Sequence, residues 1–337
     1  MRGTIIIVET APEGSPAAPW PRHEAECLEA LSPAEVISVP NAEAAAEAAR
    51  EAALLGVDKI VAAGSDAIAH GVLNALMNLA EVHRREIKLG LLPLRRPQEW
   101  SRTIGFPRPL MRQLEVLKAG HTLPFDVGRV ECLDCEGNPI ARHFLNGACF
   151  GLTTELRGAW DGPGGEPRHG LKGLARVLRV LKERDRSWVS LTRDGQELYR
   201  GPIVAGLVMV GKFYPGLGEV APNAEPGDGA LDLVGLTGSL GPAELGWLAR
   251  VRPGWVGSSR RWTTEQGAEF IATDIAAPVR LELDGLPTGR LPARFSVWPR
   301  QIQVIVPTVP VRVMKPAFQP LPAVAKRAAV AGNLRVN

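Results

Sequence analysis

The stretch GVDKIVAAGSDAIAHGVLNAL, Gly56 to Leu76, decides the fold class. Its run at Lys59–Ala62 reads as a short strand buried on both faces, because no polar residue alternates with Ile60, Val61 and Ala62. Gly64, Ser65 and Asp66 interrupt the run, and an apolar helical pattern follows from about Ile68 to Ala80. Strand, tight polar turn and helix form the unit from which helix-covered sheets are assembled. The unit recurs on either side. Thr4–Val8 reads as a strand and His23–Leu31 as a helix. Glu35–Val39 is a further strand, followed by a helix that Asn41 caps and Gly56 ends. Beyond the opening stretch come a strand at Lys88–Leu92 and a helix from Pro109 to Lys118, stopped before Gly120. Residues 1–122 are therefore expected to form an α/β domain with a doubly wound sheet.

After Leu123 the pattern changes to period two with turn residues between the runs. Gly128–Leu133, Ile140–Asn146, Trp188–Thr192, Ile203–Val210, Val279–Leu283 and Ile302–Val306 read as strands. Residues 123–308 are expected to form a mainly antiparallel β-sandwich. An amphipathic helix at Leu171–Lys182, with Leu174, Val177, Leu178 and Leu181 on one face, and a second at Pro242–Arg250 interrupt it. Residues 309–337 read as a tail that docks back on the first domain or frays.

With 337 residues, 45% hydrophobic and 22% charged, the chain is long enough for two domains and ordinary enough to be globular. A formal charge of +3 falls far short of the basic stripe of a nucleic-acid binder. No run approaches the roughly 18 apolar residues of a membrane span, so a soluble cytoplasmic protein is expected. Cys132 and Cys135 make a CxxC without a second ligand pair, which reads as a strand running into the hairpin turn Glu136-Gly137-Asn138 rather than a zinc site. No GxGxxG follows the first strand, which argues against a nicotinamide-binding oxidoreductase. Trp247, Trp255 and Trp262 alternate with Arg250, Arg252, Arg260 and Arg261, a mixture suited either to peripheral contact with the inner membrane face or to buried rings beside a solvated loop.

Four stretches taken together resemble the lipid kinase family of diacylglycerol, sphingosine and ceramide kinases and their bacterial relatives. Gly56–Leu76 is similar to the family's strand, GGDGT loop and helix. LGLLPLRRPQEWSRTIGFP, Leu89–Pro107, resembles its second nucleotide loop, and HFLNGACFGLTTEL, His143–Leu156, its FLN segment. VAPNAEPGDGALDLV, Val220–Val234, and the stretch Leu281–Pro307 look like its closing motifs. The resemblance implies a NAD kinase/phosphofructokinase-like α/β domain, a β-rich lipid domain, and ATP-dependent phosphorylation of a diacylglycerol- or sphingoid-like hydroxyl in the cleft between them.

It also implies roles for single residues. Asp284 stands at the position of the family's general base. Asp228 stands at that of a structural magnesium ligand, with Glu225 and Ala230 supplying carbonyls. Gly64, Ser65, Asp66, Ala67 and Ile68 occupy the nucleotide loop, yet Ser65 and Ala67 replace glycines whose bare backbone lets amides approach phosphate. Arg95, Arg96, Pro97, Gln98 and Glu99 stand where the family has GTGND. Arg95 and Arg96 read either as a side-chain phosphate clamp or as solvated loop charges. Glu9-Thr10 replaces an Asn-Pro pair and turns an anion toward the phosphates. ATP and magnesium are thus implied by the resemblance and opposed by the loops, and a pseudokinase that binds lipid or a partner protein stays open beside an active kinase.

Overall fold

The computed structural model describes residues 3–10, 20–94, 98–151, 187–215, 217–237 and 262–308. Thr4–Glu9 (β1) shows why the first half folds as it does. Ile5 and Ile7 enter one core, Ile6 and Val8 another, so both faces of the strand are sealed. β1 pairs in parallel with Ala34–Val39 (β2) and Lys59–Ala63 (β3), and β3 pairs in parallel with Lys88–Leu92 (β4). Between these strands lie Trp20–Leu31 (α1), Ala42–Leu54 (α2), Asp66–Met77 (α3) and the short Glu81–Glu86 (α4); Glu99–Thr103 (α5) and Leu110–Ala119 (α6) follow β4. Leu31 and Cys27 of α1 pack with Leu114 and Leu117 of α6 on one face of the sheet. Ala45, Ala49 and Ala52 of α2 pack with Val72, Leu73 and Leu76 of α3 on the other.

The alanines of α2 bring the two helices close. An added Cβ at Gly71 of α3 would sit 2.1 Å from the Ala42 carbonyl oxygen. Gly71→Ala is expected to lower stability by ~1–3 kcal/mol despite alanine's better helix propensity, because backbone cannot yield as a side chain can. A thermal or urea melt checks this; an unchanged or raised midpoint would contradict it.

The β-rich half is built from Thr122–Leu133 (β5), Pro139–Phe144 (β6), Gly147–Gly151 (β7), Ser187–Arg193 (β8), Gln196–Met209 (β9), Phe213–Tyr214 (β10), Gly218–Glu219 (β11), Leu231–Thr237 (β12), Trp262–Gly267 (β13), Glu269–Asp274 (β14), Arg280–Leu283 (β15) and Leu286–Ile305 (β16). The expected sandwich takes a more closed form. β9, β7, β15, β16, β14 and β8 pair in a complete cycle, as in a barrel, and Phe150, Leu191, Phe270, Leu283 and Phe295 belong to the core it encloses.

The two halves also share one sheet. The last residues of β16 pair in parallel with β4 through Gln303 and Val304, and β5 runs antiparallel beside them. Phe125, Val127, Ile302 and Val304 therefore lie in the same core as α2 and α3. The expected Cys132–Cys135 turn is present: Asp134 Oδ1 accepts the Glu136 and Asn138 amides, Cys132 is buried and Cys135 exposed. Burial pushes the Cys132 thiol up to about 11, the wrong direction for a metal thiolate. The helices expected at Leu171–Lys182 and Pro242–Arg250, the Trp247 and Trp255 segment and the tail 309–337 lie outside the described residues. Among the described residues no helix is long and apolar enough to cross a membrane.

Candidate active site

Of the expected site residues, Asp284 and the loop that opens α3 come near one another where the parallel sheet meets the β-rich half. β15 and β16 are joined by the tight turn Asp284-Gly285, in which Asp284 takes φ +49 and Gly285 φ +83. An aspartate tolerates this left-handed conformation better than most residues. The turn drives the Asp284 carboxylate inward until the residue is 4% exposed. There Oδ1 accepts the backbone amides of Asn146 at 2.8 Å and Gly147 at 3.1 Å. Oδ2 accepts the Leu145 amide at 3.0 Å and His70 Nδ1 at 2.9 Å. The Asp284 amide in turn donates to the Gly147 carbonyl.

His70 reaches across from α3, so one carboxylate ties the two halves together. Because a carboxylate only accepts, the His70 proton sits on Nδ1; Asn74 Nδ2 lies 3.2 Å from Nε2, and Asn74 also bonds both backbone groups of His143. Burial, followed by the charges of Arg129, Arg84 and His70, holds His143 down at about 4. From the other side Trp100 of α5 donates to the Leu145 carbonyl at 2.8 Å, which fixes the segment whose amides hold Asp284.

The loop Gly64–Asp66 at the head of α3 is enclosed by side chains of the chain itself. The Glu9 carboxylate accepts the Ser65 amide at 2.7 Å through Oε2 and the Ser65 hydroxyl at 2.9 Å through Oε1. Gly64, at φ +140, leaves the room this requires: a Cβ there would lie 2.6 Å from Glu9 Cβ. Gln98 Nε2 donates to the Ser65 carbonyl at 3.2 Å, and Asp66 Oδ2 accepts the Glu99 amide at 3.0 Å. Asp66 Oδ1 is sealed from solvent with no partner. Burial, with the charges of Asp284 and Glu99 adding to it, pushes Asp66 up to about 7. Glu99 is also raised by burial while Arg102 holds it at 2.6 Å. Ala67 and Ile68 open α3, Ile68 wholly buried. Arg95 and Arg96 lie outside the described residues.

The expected magnesium set sits apart, in a turn held to β5 by Asp126, whose Oδ2 accepts the Gly229 amide and Oδ1 the Arg300 amide. The Glu225 carbonyl already accepts the Gly227 and Asp228 amides. Asp228 accepts the Ala230 amide at 3.0 Å and Gln266 Nε2 at 2.9 Å. Burial first, and then the charges of Asp228 and Glu225, lift the neighbouring Asp232 to about 6. Among the described residues no group of three or more His, Cys, Asp or Glu side chains is placed to hold a metal. With Glu225's carbonyl taken, this donor set does not fit a magnesium ion. The nucleotide loop likewise does not fit ATP phosphates while Glu9 holds the Ser65 amide.

Nearby, Ile104, Leu123, Phe125 and Val306 line an open apolar pocket of about 510 Å³, with His121 and Lys212 also on its wall. Sequence reasoning pointed to Asp284, Asp66 and the direction of Glu9 as candidates. It missed His70, Asn74 and Asp126, whose partners lie up to 214 residues away.

Two halves share one sheet, and a strand–loop–helix head of the first faces a carboxylate from the β-rich side, which makes a fold of two lobes. Comparison with known proteins agrees. Residues 2–130 match the family model of the diacylglycerol kinase catalytic domain. The chain is 29% identical over 276 residues to the diacylglycerol kinase of Bacillus subtilis (strain 168), covering 78% of this chain and 82% of that one. It is 23% identical to that of Staphylococcus carnosus (strain TM300) over 257 residues, 74% and 77% of the two chains. A crystal structure of a diacylglycerol kinase from Bacillus anthracis superposes with a TM-score of 0.66 at 17% identity, covering 92% of this chain and 98% of that one. Yeast NADH kinase shares the fold at a TM-score of 0.51 and 12% identity, with 91% and 84% covered. Over residues 2–130, and more weakly along most of its length, the chain is thus similar to diacylglycerol kinases.

Proposed function

We propose that this chain is a pseudokinase of the lipid kinase family, one that binds a diacylglycerol- or sphingoid-like lipid without transferring phosphate to it. The observation that carries the reading is the saturation of Asp284. A general base must take a hydrogen bond from the hydroxyl it deprotonates, and each Asp284 oxygen already accepts two. In this reading Asp284 is a positioning residue that latches the lobes. The turn Glu225–Ala230 supports the reading from the metal side, since the Glu225 carbonyl and both Asp228 carboxylate oxygens already accept hydrogen bonds.

The lipid half of the proposal draws on the family and on the apolar pocket beside α5, where Lys212 and His121 suit a polar head group and Leu123 and Phe125 suit hydrocarbon. A second reading has one observation in its favour. The Asp284–His70 contact fixes the Nδ1–H tautomer and leaves the lone pair on Nε2, so His70 would serve as base in an active transferase once a hydroxyl displaces the Asn74 amide 3.2 Å from it.

Mixed micelles of diacylglycerol or sphingosine with γ-labelled ATP separate these readings. The chain is expected to be retained by lipid vesicles while no label enters the lipid. Label that enters with the native chain and disappears in His70→Gln would establish the second reading. Failure to float with either vesicle would remove the lipid half of the proposal.

A further inference from the structure

We infer that Glu9 is the residue that sets the anion specificity of this site: its carboxylate stands in for phosphate at the head of α3, so the loop Gly64–Asp66 rejects external anions. The inference rests on reading residues 64–66 as the family's phosphate loop.

A strand–loop–helix head exposes backbone N–H groups at the positive end of a helix, and anions collect there. In this chain the Ser65 amide and hydroxyl both point to one bidentate acceptor, the Glu9 carboxylate, at 2.7 and 2.9 Å. Ser65 heads α3 with an extended backbone and makes no side-chain cap; its hydroxyl serves Glu9 instead. Gly64 reinforces the assignment. Its φ of +140 and missing Cβ create the space that the Glu9 side chain fills, with Oε2 2.7 Å from where a Cβ would be. Glu9 comes from the end of β1, directly beside β3, so it is tethered in place and loses little freedom on docking.

The charges around the loop follow the same logic. A second anion entering here would meet the Glu9 carboxylate, the half-buried Glu99 and the Asp66 and Asp284 carboxyls, while the Arg102 guanidinium is already paired to Glu99. Asp66 keeps an unpartnered, solvent-sealed oxygen at this same helix head, an acceptor that an external anion would leave unsatisfied as well. One carboxylate satisfies the Ser65 donors; a polyphosphate would first have to displace it.

The test uses the native full chain with Glu9→Gln and Glu9→Ala, each confirmed folded by circular dichroism. Each is titrated with inorganic pyrophosphate by calorimetry while the Ser65 amide is followed by NMR. Glu9→Ala is expected to bind pyrophosphate at least tenfold more tightly than the native chain, with the Ser65 amide shifting. Glu9→Gln, which keeps one acceptor oxygen for the Ser65 amide but drops the charge, should fall between them. Equal affinity in all three chains would overturn the inference, and so would the absence of binding in all three; both outcomes leave the pseudokinase reading standing. Lipid phosphorylation by the native chain would end that reading while leaving a tenfold gain in Glu9→Ala intact.

Discussion

Asp284→Ala is expected to destabilise the chain by about 3–5 kcal/mol, the range for removing one partner of a buried, charge-assisted network. The change strands the Leu145, Asn146 and Gly147 amides and His70 Nδ1 at once. Each orphaned buried donor costs roughly 1–3 kcal/mol, and relaxation of the 145–147 segment keeps the sum below simple addition. Alanine at φ +49 adds to the cost, since it lacks the local hydrogen bonding that lets aspartate occupy this region. Asn, which tolerates the backbone and keeps one acceptor oxygen, should fall about midway. Urea denaturation of the three chains measures this. An Asp284→Ala midpoint equal to the native one would show that the carboxylate does not latch the lobes and would return it to the role of a base.

Asp66→Asn should have the opposite sign, and its effect should depend on pH. The folded chain holds Asp66 up at about 7, against 3.8 for an unperturbed carboxyl. Below about pH 4 both folded and unfolded chains carry the proton, and the residue costs nothing. As pH rises from 4 to 7 the unfolded chain loses its proton first, so the unfolded state gains and stability falls; above 7 the penalty is complete. Every tenfold weakening of the acid corresponds to about 1.4 kcal/mol, so the penalty at pH 8 is on the order of 4 kcal/mol. Asparagine carries no such penalty and keeps an acceptor for the Glu99 amide. The variant is therefore expected to be more stable than the native chain at pH 8 by ~2–4 kcal/mol and nearly equal to it at pH 4. A difference that stays flat between these pH values would contradict the assignment. The comparison isolates Asp66 from His143, which is held down at about 4. His143 acts the other way in its own window: its stabilisation is present above about 6.5 and lost as pH falls toward 4.

The two variants also inform each other. Asp284's charge is one of the causes that raise Asp66, so Asp284→Ala should lower the Asp66 pKa and shrink the gain from Asp66→Asn in the double variant.

The first lobe was legible in the sequence because its signals are local. β4 runs from Lys88 to Leu92 as expected, Asn41 accepts the Ala44 amide at 2.9 Å as the cap of α2, and Gly56 and Gly120 take the positive φ that ends a helix. The second lobe was legible only in part. β16 spans twenty residues but carries Pro287, Pro292 and Pro299, and its pairing with β5 shifts register between Arg290 and Arg294 and between Trp298 and Ile302. Proline and broken alternation read as turns, so only its last few residues were expected as strand. For the same reason the continuity of one sheet through both lobes was not visible. The helices α4 and α5 are too short for a periodic signal.

Within the site, Glu9 was legible as an anion turned toward the loop, while its bond to Ser65 depends on two strands lying side by side. His70 and Asn74 carried no signal at all. On α3 they look like polar residues of an ordinary helix, and only the fold brings Asp284, 214 positions along the chain, to His70.

The most direct test of a nucleotide site closed from within is calorimetric titration of the native chain with magnesium-ATP at neutral pH. No heat of binding up to millimolar nucleotide is predicted, because Glu9 holds the Ser65 donors and the Glu225 carbonyl and Asp228 carboxylate already accept hydrogen bonds. Saturable binding at submillimolar concentration would contradict this account and restore an ATP-dependent lipid kinase.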